Sequence, residues 1–243
     1  MRLGAVIQAR TGSTRLPGKI LEPIEGFPLL GWCVERLRLA KTVDQVVVAT
    51  SDHAADDAVE ALGQDLGFGV FRGSEDDVLA RFSGAVQHFG FDHAVRVCGD
   101  SPFVDPGLVD ALVTAYLAAE VDYASNVGAR SYPRGLDCEV FSAEGLAKVD
   151  ARATQPFERA HVTPYFYQNP EVFSLLNVPG ANDYSQYRWC VDEPMDLAMV
   201  RALAERFEGR RDFSWTEALA VVESDSALGG MNAQVEQKKL EQG

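Results

Sequence analysis

Arg10, Gly12, Ser13, Arg15 and Lys19 fall within ten residues of one another, directly after the apolar run Leu3 to Ile7. No acidic residue precedes Glu22, although the chain as a whole is strongly acidic. Two forked guanidinium groups and an ammonium suit an anion with many oxygens. Gly12 lets backbone N–H groups approach such an anion closely. Ser13 and Thr14 add hydroxyl donors. A bound polyphosphate is the most economical explanation. The loop is not a Walker A motif, which has four residues between its glycines and a Ser or Thr after the Lys. Here five residues separate Gly12 from Gly18, and Ile20 follows Lys19. A G-x-G-x-x-G dinucleotide signature is also missing.

Two carboxylates complete the candidate chemistry. Asp100 follows the apolar run His93 to Cys98, in the turn Gly99-Asp100-Ser101-Pro102. Asp192 follows Tyr187 to Val191. Each lies two residues after a cysteine, so strand alternation puts it on the same face as Cys98 or Cys190. Mg²⁺ commonly takes one or two carboxylates and completes its shell with substrate phosphates and water. Either aspartate can instead cap a helix, and Asp192 before Glu193-Pro194 is a good cap candidate. Together with the cationic loop they point to Mg²⁺-assisted phosphoryl or nucleotidyl transfer. Arg10, Arg15 and Lys19 would then stabilise the departing pyrophosphate. No Ser/His/Asp or Cys/His nucleophile constellation stands out.

The elements that must position these residues follow from periodicity. Strands are expected at 3–7, 43–50, 69–72 and 93–98. They alternate with helices at 29–39, 54–66, 76–89 and 106–119. This is an α/β pattern: a mostly parallel sheet of right-handed βαβ units flanked by helices. Ligands sit at the carboxyl ends of such strands, where the loop and Asp100 both lie. After Val121 the alternation loosens. Strands are expected at 122–127, 136–142, 172–178 and 187–191, and helices at 143–150, 156–168, 194–208 and 215–222. Residues 121–187 read as an insertion or lid on a single domain spanning 1–223. Residues 224–243 read as a polar, weakly packed tail.

The bulk properties narrow the class. A net charge of −14 disfavours nucleic acid and anionic membranes as partners. The apolar runs fall far short of the ~20 residues a membrane span needs. The N-terminal apolar run is also too short for a signal peptide, so a cytoplasmic protein is expected. Cys33, Cys98, Cys138 and Cys190 are scattered, which suits reduced thiols better than a zinc site or a disulfide framework.

The stretch 7–19 resembles the nucleotide signature of the cytidylyltransferases that make CMP-3-deoxy-manno-octulosonate and CMP-neuraminate. Five further segments, 71–79, 99–106, 132–141, 161–165 and 188–196, are similar in combination and order to the spore-coat polysaccharide biosynthesis protein F family, a cytidylyltransferase-like branch. The resemblance covers about residues 1–210. It implies a nucleotide-diphospho-sugar transferase (glycosyltransferase-A-like) fold with CTP as donor and Mg²⁺ as cofactor. It also implies CMP transfer to an acidic or unusual sugar of a surface polysaccharide, and a homodimer built through the inserted segment.

Carried over by residue, the resemblance assigns the triphosphate to Arg10, Ser13, Arg15 and Lys19, and the metal to Asp100 and Asp192. Gln8, Ala9, Gly12 and Asp100 join the nucleotide contacts. The octulosonate enzymes often have a base-reading glutamine just before the Gly-Asp, and here Cys98 holds that place. Base reading therefore falls to backbone near Ala9 and Gly12, with Arg72 and Ser74 as side-chain candidates. For the acceptor the insertion offers Arg134, Asp137, Glu139, Glu158, His161 and Arg188. An Arg or His would face a carboxylate. Asp137 and Glu139 share a strand face that can bind hydroxyls or simply be solvated, and His161 can equally be a helix-end residue. Two other readings stay open. One is an enzyme of the same fold using another nucleotide or a phosphonate-type acceptor. The other is a non-catalytic nucleotide-binding protein, against which the full set of cations and carboxylates argues.

Overall fold

The computed structural model describes residues 1–237. From β1 (Leu3–Gln8) the chain runs through the cationic loop and a 3-10 turn at Lys19–Leu21. It then forms the small hairpin β2 (Pro23–Ile24) and β3 (Phe27–Pro28). Next come α1 (Leu29–Leu37), β4 (Gln45–Ser51), α2 (Asp57–Leu66), β5 (Gly69–Gly73), α3 (Val78–Phe89), β6 (His93–Cys98) and α4 (Pro106–Ala119). Residues 123–177 hold β7 (Tyr123–Ser125), β8 (Glu139–Ser142), α5 (Ala143–Arg152), α6 (Pro156–His161), α7 (Pro164–Gln168) and β9 (Leu175–Asn177). The described chain closes with α8 (Pro194–Glu205), α9 (Trp215–Ser224) and α10 (Ser226–Gly230).

The main sheet has the order β5-β4-β1-β6-β8-β7-β9. Pairings β5/β4, β4/β1, β1/β6 and β7/β9 are parallel. The pairings of β8 with β6 and β7 are antiparallel. The sheet is therefore mostly parallel, as the alternation predicts, with the reversal confined to β8. Alternation along the strands builds two cores. Leu3, Ala5 and Ile7 of β1 and Val46 and Val48 of β4 pack with Trp32, Val34, Leu112 and Val200 on one face. Val6, Val47 and Ala49 point the other way, onto Leu79, Phe82, Phe141 and Phe166. Successive side chains of a strand face opposite layers, so both helical layers cover the sheet.

Three expectations change. The helix expected over 156–168 is two helices. Val162 between them is left-handed (φ 72°), and Pro164 has no N–H to continue the ladder. The strand expected at 187–191 does not form. That segment is held by a single bridge between Arg134 and Arg188 and by Val191 N–H donating to the Asp100 carbonyl (2.8 Å). Gly135 (φ 99°) makes the approach possible, because a Cβ there would lie 2.6 Å from the Cys190 nitrogen. Finally, the polar tail is packed where it is described: α10 forms, Leu228 and Asn232 are buried, and only 238–243 lie outside the described residues. Composition hid this because Leu228 alone supplies a buried large apolar anchor there.

Candidate active site

The cationic loop leaves the carboxyl end of β1 and is pinned from both neighbouring strands. Ala9 N–H donates to the Ala49 carbonyl of β4, and Gly99 N–H, just past β6, donates to the Gln8 carbonyl. The loop's tip is held by Asp56, which is buried. One of its oxygens accepts from the Thr11 N–H and hydroxyl, both at 2.7 Å. The other accepts from the Ser51 N–H and hydroxyl at the end of β4. Burial raises the Asp56 pKa, but these donors outweigh it and hold the carboxyl below its ordinary range. Gly18 is left-handed (φ 72°), so the chain turns sharply into the helical turn that begins with Lys19.

Lys19 is the centre of the site. Its ammonium, 8% exposed, donates to Asp100 Oδ2 and Asp192 Oδ1, each at 2.8 Å, and to the Val191 carbonyl at 2.7 Å. Burial lowers the Lys19 pKa, yet Asp100 and Asp192 more than reverse that, and the ammonium is held charged. Arg15 reaches Asp192 at 2.9 Å and Glu193 at 3.2 Å. Asp192 feels burial pushing its pKa up and Lys19, Arg15 and Arg188 pulling it further down, so it stays ionised. Asp100 and Asp192 therefore meet around one cation, although Asp100 lies in the turn after β6 and Asp192 in no strand at all.

A cavity of about 560 Å³ opens over this centre. Gln8, Ala9, Arg10, Gly12, Ser13, Arg15, Lys19, Cys98, Asp100 and Asp192 all line it. Arg10 reaches Glu75 at 3.1 Å. Arg72 is not brought to this cavity. Its guanidinium is tied to Asp57, Glu60 and the Ser51 and His53 carbonyls on the outer edge at β5. Ser74 turns its hydroxyl to the Asp77 N–H. The arginine that does line this wall is Arg81 of α3, which the sequence reading misses. Arg81 is 2% exposed and rests its Nη1 on the Ser74 carbonyl. Its Nε makes no hydrogen bond, and among the described residues no carboxylate reaches ion-pair distance of it, Asp56, Glu75 and Asp52 acting only from farther off. Burial and the Arg10 charge pull its pKa down to about 10. A buried position on the apolar face of α3 gives no cue that an arginine there lines a cavity.

A second cavity of about 590 Å³ adjoins the first, and Cys98 and His161 line both. Of the acceptor candidates, Asp137, Glu139 and His161 line it. Arg96, bonded to Glu139 and Gln8, and Arg130, which forks onto Asp137, line it as well and were not anticipated. Glu158 is instead a buried helix cap that accepts from the Thr154 and Gln155 N–H groups. Arg134 and Arg188 lie together on another side, against the C-terminal segment. Burial pushes the Cys98 thiol up to about 12, so it stands between the cavities as a neutral thiol.

Two carboxylates and a carbonyl around one cation form a hard oxygen donor set of the kind Mg²⁺ accepts when phosphates and water complete its shell. Among the described residues no group of three or more His, Cys, Asp and Glu side chains gathers as a self-sufficient metal site. Among the described residues, no helix is long and apolar enough to cross a membrane.

A cationic loop after the first strand of a doubly covered α/β sheet, with paired carboxylates at its rim, is an arrangement able to take a nucleotide triphosphate. Residues 5–225 match the cytidylyltransferase family model, and the chain belongs to that family of CTP-dependent nucleotidyltransferases. It is 36% identical over 224 residues to the spore coat polysaccharide biosynthesis protein SpsF of Bacillus subtilis, covering 89% of this chain and 92% of that one. It is 35% identical over 232 residues to the 3-deoxy-manno-octulosonate cytidylyltransferase of Synechococcus elongatus, covering 86% and 88%. Among solved structures, a cytidylyltransferase from Leptospira borgpetersenii superposes with a TM-score of 0.91 at 33% identity, over 98% of this chain and 99% of that one. A CMP-2-keto-3-deoxy-manno-octonic acid synthetase complexed with CTP shares the fold, with a TM-score of 0.65 at 22% identity over 85% and 99%.

Proposed function

We propose that this chain transfers CMP from CTP to a hydroxyl of a small polyhydroxylated acceptor, an acidic or unusual sugar destined for a surface glycan, and releases pyrophosphate. The observation that carries this reading is the Lys19 ammonium bridging Asp100 and Asp192 on the floor of a cavity walled by Arg10, Arg15 and Arg81. Asp100 and Asp192 would hold Mg²⁺ there, which when bound offsets charge on the phosphate oxygens and polarises the α-phosphorus.

The chain's own groups divide the remaining work. Ser13, Arg15 and Lys19 hold the triphosphate, and Arg10 and Arg81 close it on the β4 and β5 side. The acceptor lies in the adjoining cavity, with hydroxyls on Asp137 and Glu139 and an acidic group on Arg130 or His161. Its hydroxyl oxygen attacks the α-phosphorus in line. The new O–P bond forms as the bond to the bridging oxygen breaks, pyrophosphate leaves onto Arg15 and Lys19, and the hydroxyl proton passes to solvent. Positioning and charge do this chemistry, and no covalent enzyme intermediate is needed.

A single domain that takes in the packed segment beyond 223 fits this division of labour, with 121–187 as the acceptor-side insertion. Tyr167, Val172 and Leu175 are exposed large apolar residues on that insertion and support pairing with a second copy there, which light scattering tests. The function is tested by melting curves with nucleotides. CTP with Mg²⁺ is expected to raise Tm, and EDTA to cancel the rise. A shift with UTP or GTP and none with CTP would overturn the base. A pyrophosphate-release screen over sugar acids and phosphonates then identifies the acceptor.

A further inference from the structure

Asp192 is braced from behind by residues far along the chain. Asp196, fully buried in the first turn of α8, accepts four N–H groups. Its Oδ2 takes the backbone N–H of Asp192 (2.9 Å) and of Glu193 (3.0 Å). Its Oδ1 takes Arg188 Nε (3.0 Å) and Asn232 Nδ2 (2.8 Å). Arg188 in turn places Nη2 on Asp192 Oδ2 and Nη1 on Gln237 Oε1. Asn232 also donates to the Arg188 carbonyl at 2.9 Å. Asn232 is 3% exposed and is delivered by α10, whose Leu228 is anchored in the core.

We propose that the segment Ser226–Gln237 is part of the nucleotide site: through Asn232 and Gln237 it fixes Arg188, and through Arg188 and Asp196 it positions the Asp192 carboxylate. This rests on the reading of Asp192 as a metal-side carboxylate. Three cations face Asp192. Two of them, Lys19 and Arg15, belong to the loop that holds the triphosphate and are drawn to it when nucleotide binds. Arg188 is the third, and its guanidinium is fixed by Asp196 and Gln237. It is the partner left to hold the Asp192 carboxylate when the other two are engaged, which is how outer groups orient a metal ligand. Asn232 and Gln237 lie beyond residues 5–225, the part matched by the family model. Arg188 is accordingly a positioning residue and not an acceptor contact.

The test uses the full chain with Asn232→Ala, and Val149→Ala as a comparison that opens a gap in the other core, under α5, without touching Arg188, Asp196 or the segment 226–237. Mn²⁺ binding in the presence of CTP is followed by electron paramagnetic resonance. Amide hydrogen exchange at Asp192 and Glu193 is followed without nucleotide. Asn232→Ala is expected to weaken Mn²⁺ binding about tenfold or more and to speed exchange at both amides. Val149→Ala is expected to lower Tm while leaving Mn²⁺ affinity within about twofold. Wild-type exchange and Mn²⁺ affinity in Asn232→Ala overturn the proposal. So do losses that merely track Tm in both variants. If the unsubstituted protein shows no CTP-dependent Mn²⁺ binding, the reading of the function fails, and the exchange measurement still decides the positioning.

Discussion

Lys19 Nζ lies 2.8 Å from Asp192 Oδ1, joining residues 173 positions apart in the chain. With Asp100 at the same distance, the ammonium fills a small anionic pocket that would otherwise hold two carboxylates facing each other. Removing the ammonium leaves like charges close together in a half-buried site, and removing either carboxylate leaves the ammonium under-compensated.

Lys19→Met is expected to lower pyrophosphate release by about 10²–10³-fold, the range seen when one preorganised charge-stabilising donor is lost. The same variant is expected to bind Mn²⁺ more tightly than wild type in the absence of nucleotide, because Asp100 and Asp192 no longer hold an internal cation. Titration calorimetry of the nucleotide-free protein measures this. Unchanged Mn²⁺ affinity would mean that the ammonium and the metal do not share a place.

Asp100→Asn and Asp192→Asn should each keep the fold and lose at least about a hundredfold in pyrophosphate release, as several kcal/mol of charge stabilisation is removed. Circular dichroism and a coupled pyrophosphate assay read the two effects separately. Full activity in either variant removes that residue from the metal site.

Arg81→Met should leave Tm unchanged or raise it, since a buried guanidinium without a carboxylate partner is replaced by an apolar side chain of similar length. CTP affinity should nevertheless fall about tenfold or more, the equivalent of one charged hydrogen bond of ~1.5–3 kcal/mol. Lower stability with unaltered CTP binding would place Arg81 in the scaffold alone.

Asp56 supplies a pH signature. Its folded pKa is depressed, so the unfolded chain takes up the proton first. The stability it contributes is complete above about pH 4 and is lost as pH falls from there through the lower folded value. Melting curves across that window should therefore show wild type losing Tm on acidification, with a shallower slope in Asp56→Asn. At neutral pH Asp56→Asn should be less stable by about 1–3 kcal/mol. Equal slopes would assign the acid sensitivity to another group.

Much of the proposed nucleotide half is legible in the sequence because it is local. The β-branched run Val46-Val47-Val48 and the apolar run Leu3 to Ile7 can only be buried strands, and the loop's charges lie next to one another. The acceptor half is less legible. Arg130 and Arg134 are four residues apart, and only the loop path decides that the first faces the cavity while the second faces the C-terminal segment. Arg72 and Arg81 present the same ambiguity, one being drawn outward by Asp57 and Glu60. The cap role of Glu158 is masked by its charge, since a carboxylate near an expected site suggests a ligand before it suggests a helix N-terminus. The brace on Asp192 depends on Asn232, 44 and 36 residues from its partners, a separation no local pattern encodes.

The antiparallel β8 divides the sheet along its seam with β6, where Arg96 lies opposite Glu139. Every residue proposed to grip the triphosphate hangs from the parallel strands on one side of that seam or from the segment around Asp192. Asp137, Glu139 and Arg130 belong to the insertion on the other side. The two halves can therefore diversify at different speeds. Exchanging residues 123–177 between relatives would graft a new acceptor onto an unaltered donor apparatus, provided the Arg96–Glu139 pair is kept as the junction.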